Sequence, residues 1–369
     1  MRQFVRRDLR VAAVPWLLAR VLVVGALALS REIYSQVGGP PRPPALGQGL
    51  FAWDAAFYRA IAEHGYRALG EGALRFFPLV PLLARALGWV FLGHTAVALI
   101  VVANVAALLF GAFLHQLVLD ESGDAGVAQR SAWFAALFPA ATVLVLGYAE
   151  STAMLLGVLV FLGLRRKHFW PAALFGFLAG LCRPVGVLLV VPAAVEAARG
   201  WRGAAPRERV ARVGAVVAPG LGLLAYLAWA GQAFGDMWKP LTLQNRATLR
   251  GGFQDPLTRT IDAFGDLVGG DRFGSGLHIV WALVFAALLV VLIRRMPASY
   301  SLYAAATLVL GLSAHNLDSF ERYCMSTFPF LIALAIVTDR EEVERGAYVL
   351  AAAGLVGYAV LAFLSIQLP

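Results

Sequence analysis

Charge is scarce in this sequence. Only 14% of its 369 residues are Asp, Glu, Lys or Arg, against about 25% in ordinary soluble domains. The chain is 60% hydrophobic, with a mean hydropathy of +0.73. A soluble fold cannot hide that much apolar surface, so soluble enzyme classes are excluded and most of the chain belongs in lipid. Lysine is almost missing: Lys167 and Lys239 are the only two among 31 basic residues. The two cysteines, Cys182 and Cys324, fall at or in apolar runs, which argues for free thiols rather than a disulfide framework. No GxxxxGK[ST] occurs, excluding a pump with its own P-loop. No Asp-x-Asp pair exists, so the usual metal site for a nucleotide-sugar diphosphate is missing. HxxxH and CxxC spacings are absent, which excludes a zinc site assembled from local sequence. A GxSxG elbow is absent too, against serine hydrolase chemistry. There is no internal repeat and no low-complexity linker.

What is present is a series of apolar runs. About 20 apolar residues cross a bilayer as a helix. Spans are expected near 11–30, 95–119, 131–147, 149–164, 169–182, 184–198, 210–231, 277–293, 299–314, 324–338 and 347–367, with the short ones around 149–198 read as crossings, re-entrant segments or broken helices. The expected fold is an all-α integral-membrane bundle of about 11 transmembrane helices, one polytopic domain over 1–369. The basic start, MRQFVRRDLR, and the apolar run after it resemble a signal peptide. The run is longer than a usual signal core, so it reads as an uncleaved first helix. Residues 76–93 are apolar but carry two prolines and Arg85, which predicts an interfacial or half-buried helix.

The net charge of +9 reflects loop asymmetry rather than nucleic-acid binding. With the N-terminus cytoplasmic, the inner segments collect Arg2, Arg6, Arg7, Arg10, Arg165-Arg166-Lys167, the arginines from Arg199 to Arg212, and Arg294-Arg295, as the positive-inside rule requires. Both long loops, 31–94 and 232–276, then lie outside. Two large loops on one face suit an enzyme working at the outer surface of a cell membrane. The Pro-rich GGPPRPPALG stretch (38–47) is a stiff entry to the first of them.

The most informative segment is LFAWDAAFYRAIAEHGYRALGEGALRFFPLVPLL (50–83). Asp54, Tyr58 and Ile61 share one face of a helix, and Trp53, Phe57 and Ile61 form an aromatic and apolar side. Such a helix suits the membrane interface, with Trp and Tyr at headgroup level. Two readings of Asp54 stand side by side. It caps the helix at Ala55, a role Asp favours, or it accepts a proton from an acceptor hydroxyl beside a lipid-borne donor.

Trp53-Asp54, Tyr58, Ile61-Ala62, Gly65-Tyr66 and Phe76-Phe77-Pro78-Leu79-x-Pro81-Leu82 resemble the first luminal loop of the PIG-V family, the second mannosyltransferases of glycosylphosphatidylinositol assembly, and their bacterial relatives. Gly147-Tyr148-Ala149-Glu150-Ser151 and Arg183-Pro184-x-Gly186 are similar to that family as well. Phe57 before Tyr58, and Val80 where an aromatic is common, depart from the pattern. The resemblance implies a GT-C glycosyltransferase: a multispanning hexosyltransferase that takes sugar, usually mannose, from a polyprenyl-phosphate donor on the extracytoplasmic side. It implies Asp54 as general base and an inverting transfer. No cofactor is expected beyond the lipid-linked substrate, and no metal, because arginine forks can stabilise a phosphate leaving group.

Further candidates for donor or acceptor binding are Trp53, Tyr58, Glu150, Arg183, Lys239, Arg246, His315 and Arg322. Arg183, at a break between two short helices, is the first choice for the donor phosphate; its alternative is snorkelling. Glu150 ends an outer hairpin, where an uncompensated carboxylate is costly, so it binds an acceptor or pairs with an arginine. In the second loop, Lys239 and Arg246 sit among aromatics, with solvated loop charge as the plain alternative. Arg322 leads into a helix, where it reaches a lipid phosphate or forms a helix-entry ion pair. His315 titrates near neutral pH or serves as an ordinary hydrogen-bonded residue. Expected partners are the donor, membrane lipids, and a glycolipid, glycan or protein acceptor. The competing class is a secondary transporter or lipid-linked sugar flippase, which predicts mid-span charges and repeat symmetry; Arg20 is the clearest mid-span charge, and no repeat is evident. A catalytically inactive scaffold of the same fold is a third reading.

Overall fold

The computed structural model describes residues 2–246, 249–269 and 276–367, with side chains from Arg6 onward. Parts of the expected second outer loop, 247–248 and 270–275, lie outside the described residues. Among the described residues every regular element is helical. In the first half these are α1 (Arg2–Val37), α2 (Pro44–Gln48), α3 (Asp54–His64), α4 (Tyr66–Leu69), α5 (Leu79–Gly88), α6 (Thr95–Ser122), α7 (Ala125–Leu137), α8 (Glu150–Arg165) and α9 (Phe169–Cys182). They are followed by α10 (Val190–Ala198), α11 (Pro206–Phe234), α12 (Lys239–Thr242), α13 (Pro256–Gly269), α14 (Leu277–Arg295), α15 (Ala298–Leu312), α16 (Phe320–Met325), α17 (Pro329–Val337) and α18 (Glu341–Phe363).

Among the described residues five helices, in α1, α6, α11, α14 and α18, are long and apolar enough to cross a membrane. The other expected spans are shorter, or are broken where proline removes a backbone donor. The run at 131–147 divides because α7 stops at Leu137 and Pro139 opens a 3-10 turn to Leu144. The run at 184–198 starts as a 3-10 turn at Pro184 and becomes α-helical at Val190. The run at 324–338 is cut between α16 and α17. The interfacial or half-buried helix expected over 76–93 contains α5, which buries Val80, Pro81 and Ala84 while exposing Leu82, Leu83 and Leu87.

The chain forms two compact units. The first comprises residues 1–69, 79–158 and 334–369. Here α1 packs on α6, α7 and α18. Arg20, inside α1, is fully engaged: its guanidinium donates to Asn104 Oδ1 at 2.8 Å, to the Leu144 carbonyl at 2.8 Å and to the Trp16 carbonyl at 3.2 Å. A mid-span charge satisfied this way locks helices together, as an intramembrane cation must. Near the other end of the same helices, buried Asp8 meets His115 at 2.8 Å.

The second unit comprises residues 70–78 and 159–333. Its tightest crossing is α9 on α11, where a Cβ at Gly180 would lie 2.1 Å from the Pro219 carbonyl oxygen and one at Gly222 would lie 2.0 Å from that of Phe177. Small residues let membrane helices touch backbone to backbone. At one end of this unit Glu196 gathers Arg165, Arg199 and the Ser299 hydroxyl, the last at 2.6 Å.

Candidate active site

In the first unit the two family-like segments meet. Trp53 holds φ at 59° and ψ at −127°, backbone angles that are costly for a bulky residue. The turn is pinned by the Trp53 indole N–H, which donates to the Ala362 carbonyl at 3.0 Å. Trp53, not Asp54, therefore takes the cap position of α3, and Asp54 becomes the first helical residue. Its backbone N–H donates to the Tyr148 hydroxyl at 3.2 Å, and Gly147 N–H donates to the Leu50 carbonyl at 3.2 Å. Tyr148 is fully buried, and a Cβ on Gly147 would press on the Leu99 side chain at 3.0 Å, so this segment packs closely before α8.

The side chain of Asp54 is half-buried, and its carboxylate lies in the first turn of α3, where the helix macrodipole favours negative charge. Glu150 is the first residue of α8 and is buried. Tyr58 faces the core with Ala55, Ile61 and Ala62, while Phe57 on the neighbouring face is exposed. At the far end of α3 the Arg85 guanidinium donates to the carbonyls of Ala62 at 2.8 Å and Ile61 at 3.2 Å, so a basic group covers the last carbonyls of the helix. Both ends of α3 are thus tied by hydrogen bonds to distant residues. Leu99 and His115 bracket about four turns of α6, so Asp54 sits roughly 24 Å along the helix axis from the Asp8–His115 pair.

The second unit holds a cationic centre. In Arg183-Pro184-x-Gly186, Arg183 is extended at φ −154°, ψ 151°, and Pro184 opens the 3-10 turn. Gly186 N–H donates to the Arg183 carbonyl at 3.0 Å, and a Cβ there would lie 2.1 Å from the Ala179 carbonyl oxygen. This break ends α9 and turns Arg183 toward Tyr323. Three guanidinium groups surround the Tyr323 ring, with central carbons 3.7 Å (Arg250), 5.2 Å (Arg322) and 5.3 Å (Arg183) from its centroid. Arg183 and Arg322 are buried, while Arg250 and Tyr323 are half-buried.

A short antiparallel pairing brings Arg250 there. Phe253 pairs with Ala314, Gln254 N–H donates to Ser313, His315 N–H to Gly252 and Asn316 N–H to Arg250. Glu321 bonds buried His278 at 2.7 Å and so fastens α16 to α14. Tyr323 lies outside the membrane-spanning helices. Burial pushes its phenol up, but the charges of Arg250, Arg322 and Arg183, in that order, together with a hydrogen bond from Arg250, outweigh burial and bring it down to about 7. A site that stabilises phenolate oxygen suits other oxyanions, above all phosphate, which arginine binds in bidentate fashion. Ser299 and Ser313 lie at opposite ends of α15, so this centre stands roughly 20 Å from the Glu196 network.

No protein-family model matches the chain, and no curated protein matches it. Solved structures to which the chain is similar include two archaeal ones. One is the archaeal oligosaccharyltransferase AglB from Archaeoglobus fulgidus in complex with an inhibitory peptide and a dolichol-phosphate, 12% identical with a TM-score of 0.43, over 94% of this chain and 55% of that one. The other is the Archaeoglobus fulgidus oligosaccharyltransferase in complex with Zn and sulfate, 13% identical with a TM-score of 0.42, over 93% and 52%. The chain spans about half the length of the structures it matches.

The remaining candidates of the second unit have contacts of their own. Lys239 Nζ is 2.8 Å from Glu71 Oε2 in an ion pair between a half-buried lysine and an exposed glutamate. Arg246 is exposed, and its carbonyl accepts from Leu249 and Gly251 to shape the turn before Arg250. His315 is exposed and its ring meets Gln254 Oε1 at 3.2 Å. Sequence reasoning named Arg183 and Arg322 as site residues but not Arg250 and Tyr323 beside them, nor Tyr148 beneath Asp54. The signal for Arg250 and Tyr323 was the basic residues interleaved with aromatics in both loops. The backbone pairing that joins those loops has no sequence signature. Among the described residues no group of three or more His, Cys, Asp or Glu side chains is placed to hold a metal ion.

Proposed function

We propose that the chain is an integral-membrane, inverting glycosyltransferase that uses a polyprenyl-phosphate sugar, with mannose as the family resemblance implies. The acceptor hydroxyl attacks the anomeric carbon, its proton passes to Asp54, and the bond from that carbon to the phosphate oxygen breaks. The electron pair leaves on the lipid phosphate; in the second unit Arg183, the first choice for a lipid phosphate, stands with Arg250 and Arg322 around Tyr323. General-base assistance of this kind contributes about 10²–10⁴-fold to rate.

The observation that carries the reading is the hydrogen bond between Tyr148 and Asp54. It joins the two motif segments that resemble the PIG-V family and leaves the carboxylate half-exposed at a strained, fastened helix start. The cationic centre supports the lipid-phosphate donor. The site belongs on the extracytoplasmic side of a cell membrane with the N-terminus cytoplasmic, the orientation that the distribution of basic residues favours. Glycolipids, glycans and proteins are the acceptor classes.

The test is purified protein in liposomes with radiolabelled polyprenyl-phosphate-mannose and a lipid extract as acceptor source. Transfer by wild type and none by Asp54→Asn, with equal thermal stability, is the expected result. Unchanged transfer by a stably folded Asp54→Asn would remove the base from the proposal. Passage of the lipid donor across the bilayer with no transfer would replace the enzyme with a flippase.

A further inference from the structure

Helix α13 carries an apolar stripe that the rest of the protein leaves bare. Leu257, Ile261, Phe264 and Val268 recur at i, i+4, i+7 and i+11, within about 60° of arc on one face. Three of them, Leu257, Ile261 and Val268, are 76%, 70% and 76% exposed, and Phe253 just before the helix is 83% exposed. A second face, bearing Arg259 and Ala263, is buried against the second unit. A third face, bearing Thr258 and Asp262, is exposed and polar. The helix therefore meets three environments: protein, something apolar, and water.

We propose that the apolar face of α13 lies in the surface of the lipid bilayer. A membrane-surface helix has this division, with apolar side chains sunk a few ångströms below the headgroups and polar ones level with them. Two features favour lipid over a protein partner. The end of α13 packs on the start of α14, where a Cβ at Gly276 would lie 2.8 Å from the Leu267 backbone. α14 is long and apolar enough to cross a membrane and exposes Val280, Leu283 and Val284, so α13 adjoins a helix whose own exposed side chains suit lipid. The start of α13 is built for water. Asp255 accepts from the Thr258 N–H at 2.8 Å and its hydroxyl at 3.0 Å, and these bonds hold its carboxyl below the usual range. Only a few residues separate this cap from Arg250 on the backbone pairing, so the depth of α13 also sets the height of the cationic centre relative to lipid phosphates; that consequence rests on the function proposed above, whereas the lipid contact does not.

The full-length protein is reconstituted in vesicles of phosphatidylcholine and phosphatidylglycerol, with a bimane label on Ile261→Cys, Val268→Cys or, as the polar-face control, Asp262→Cys. The native Cys182 and Cys324 are buried and do not compete for label. At 261 and 268 the emission shifts to the blue, a lipid-borne nitroxide near the headgroups quenches it, and aqueous iodide does not. At 262 iodide quenches and the nitroxide does so far less. Equal iodide quenching at 261 and 262 overturns the proposal, since the stripe then faces water. Protection of 261 from both quenchers, with cross-linking between copies, overturns it in favour of a protein interface. Neither readout depends on catalytic activity.

Discussion

The two polar centres of this protein, one in each unit, are built from opposite charges by opposite means. Around Asp54 there is backbone strain and a fastening of ends: a cap residue with positive φ, an indole bond, a buried tyrosine hydroxyl and an arginine over the last carbonyls. Around Tyr323 there are three guanidiniums close enough to repel one another, with a phenol set among them. The first arrangement fixes where one carboxylate stands. The second gathers positive charge for an anion to meet. A base needs a fixed position and a phosphate site needs gathered charge, which are the demands the proposed function makes of Asp54 and of the three arginines.

The hardest test of the contrast is Asp54→Asn, which keeps shape and removes the carboxylate. Transfer should fall by about 10²–10⁴-fold with thermal stability unchanged; a drop in stability with retained activity per folded molecule would make Asp54 a structural residue. Next comes Arg183→Ala, expected to weaken donor binding by roughly 10–100-fold, the value of about 1.5–3 kcal/mol for a charged hydrogen bond. Binding measured with labelled polyprenyl phosphate should show that loss at constant melting temperature.

Gly186→Ala is expected to cost about 1–3 kcal/mol, because the added methyl meets the Ala179 carbonyl. It should lower donor binding along with stability, and a melting curve identical to wild type would contradict the tight turn. The cationic centre also has a pH signature. Tyr323 ionises near 7 in the folded state and near 10 when unfolded. Between those values the unfolded state binds the extra proton, so stability rises with pH from about 7 to about 10 and gains nothing from this group below 7. The slope should vanish in Tyr323→Phe, and ultraviolet titration should show one phenol ionising near pH 7 in wild type alone. The smallest effect is expected at Lys239→Ala, where losing a partly exposed pair with Glu71 costs about 0–1 kcal/mol; a large loss of transfer would move Lys239 into the site.

Much of the plan is legible in the residue order. Long apolar runs announce α1, α6, α11, α14 and α18, and the prolines at 139 and 184 mark where shorter runs break into 3-10 turns. A helix after Trp53 that carries Tyr58 and Ile61 on one face follows from spacing, but the structure buries both of them where headgroup level was expected for the tyrosine. Less visible is the cap of α3, which passes to Trp53 because a bond to Ala362, more than 300 residues away, holds an unfavourable backbone angle in place. Lys239 and His315 stand out in sequence as candidates, and the structure gives each a partner far along the chain, Glu71 and Gln254. Their charge and hydrogen-bonding capacity are evident from residue type; their partners are not.

Residue order alone determined that this protein lives in lipid, is helical, and carries a Trp-Asp segment and an Arg-Pro-x-Gly break, because hydrophobicity, periodicity and proline chemistry act over a few residues. The tertiary structure decided which charges converge. Tyr148 reaches Asp54, and a short backbone pairing carries Arg250 to the ring that Arg183 and Arg322 already flank. Such meetings depend on where helices cross and loops pair, and those are set by close packing between residues far apart in the sequence.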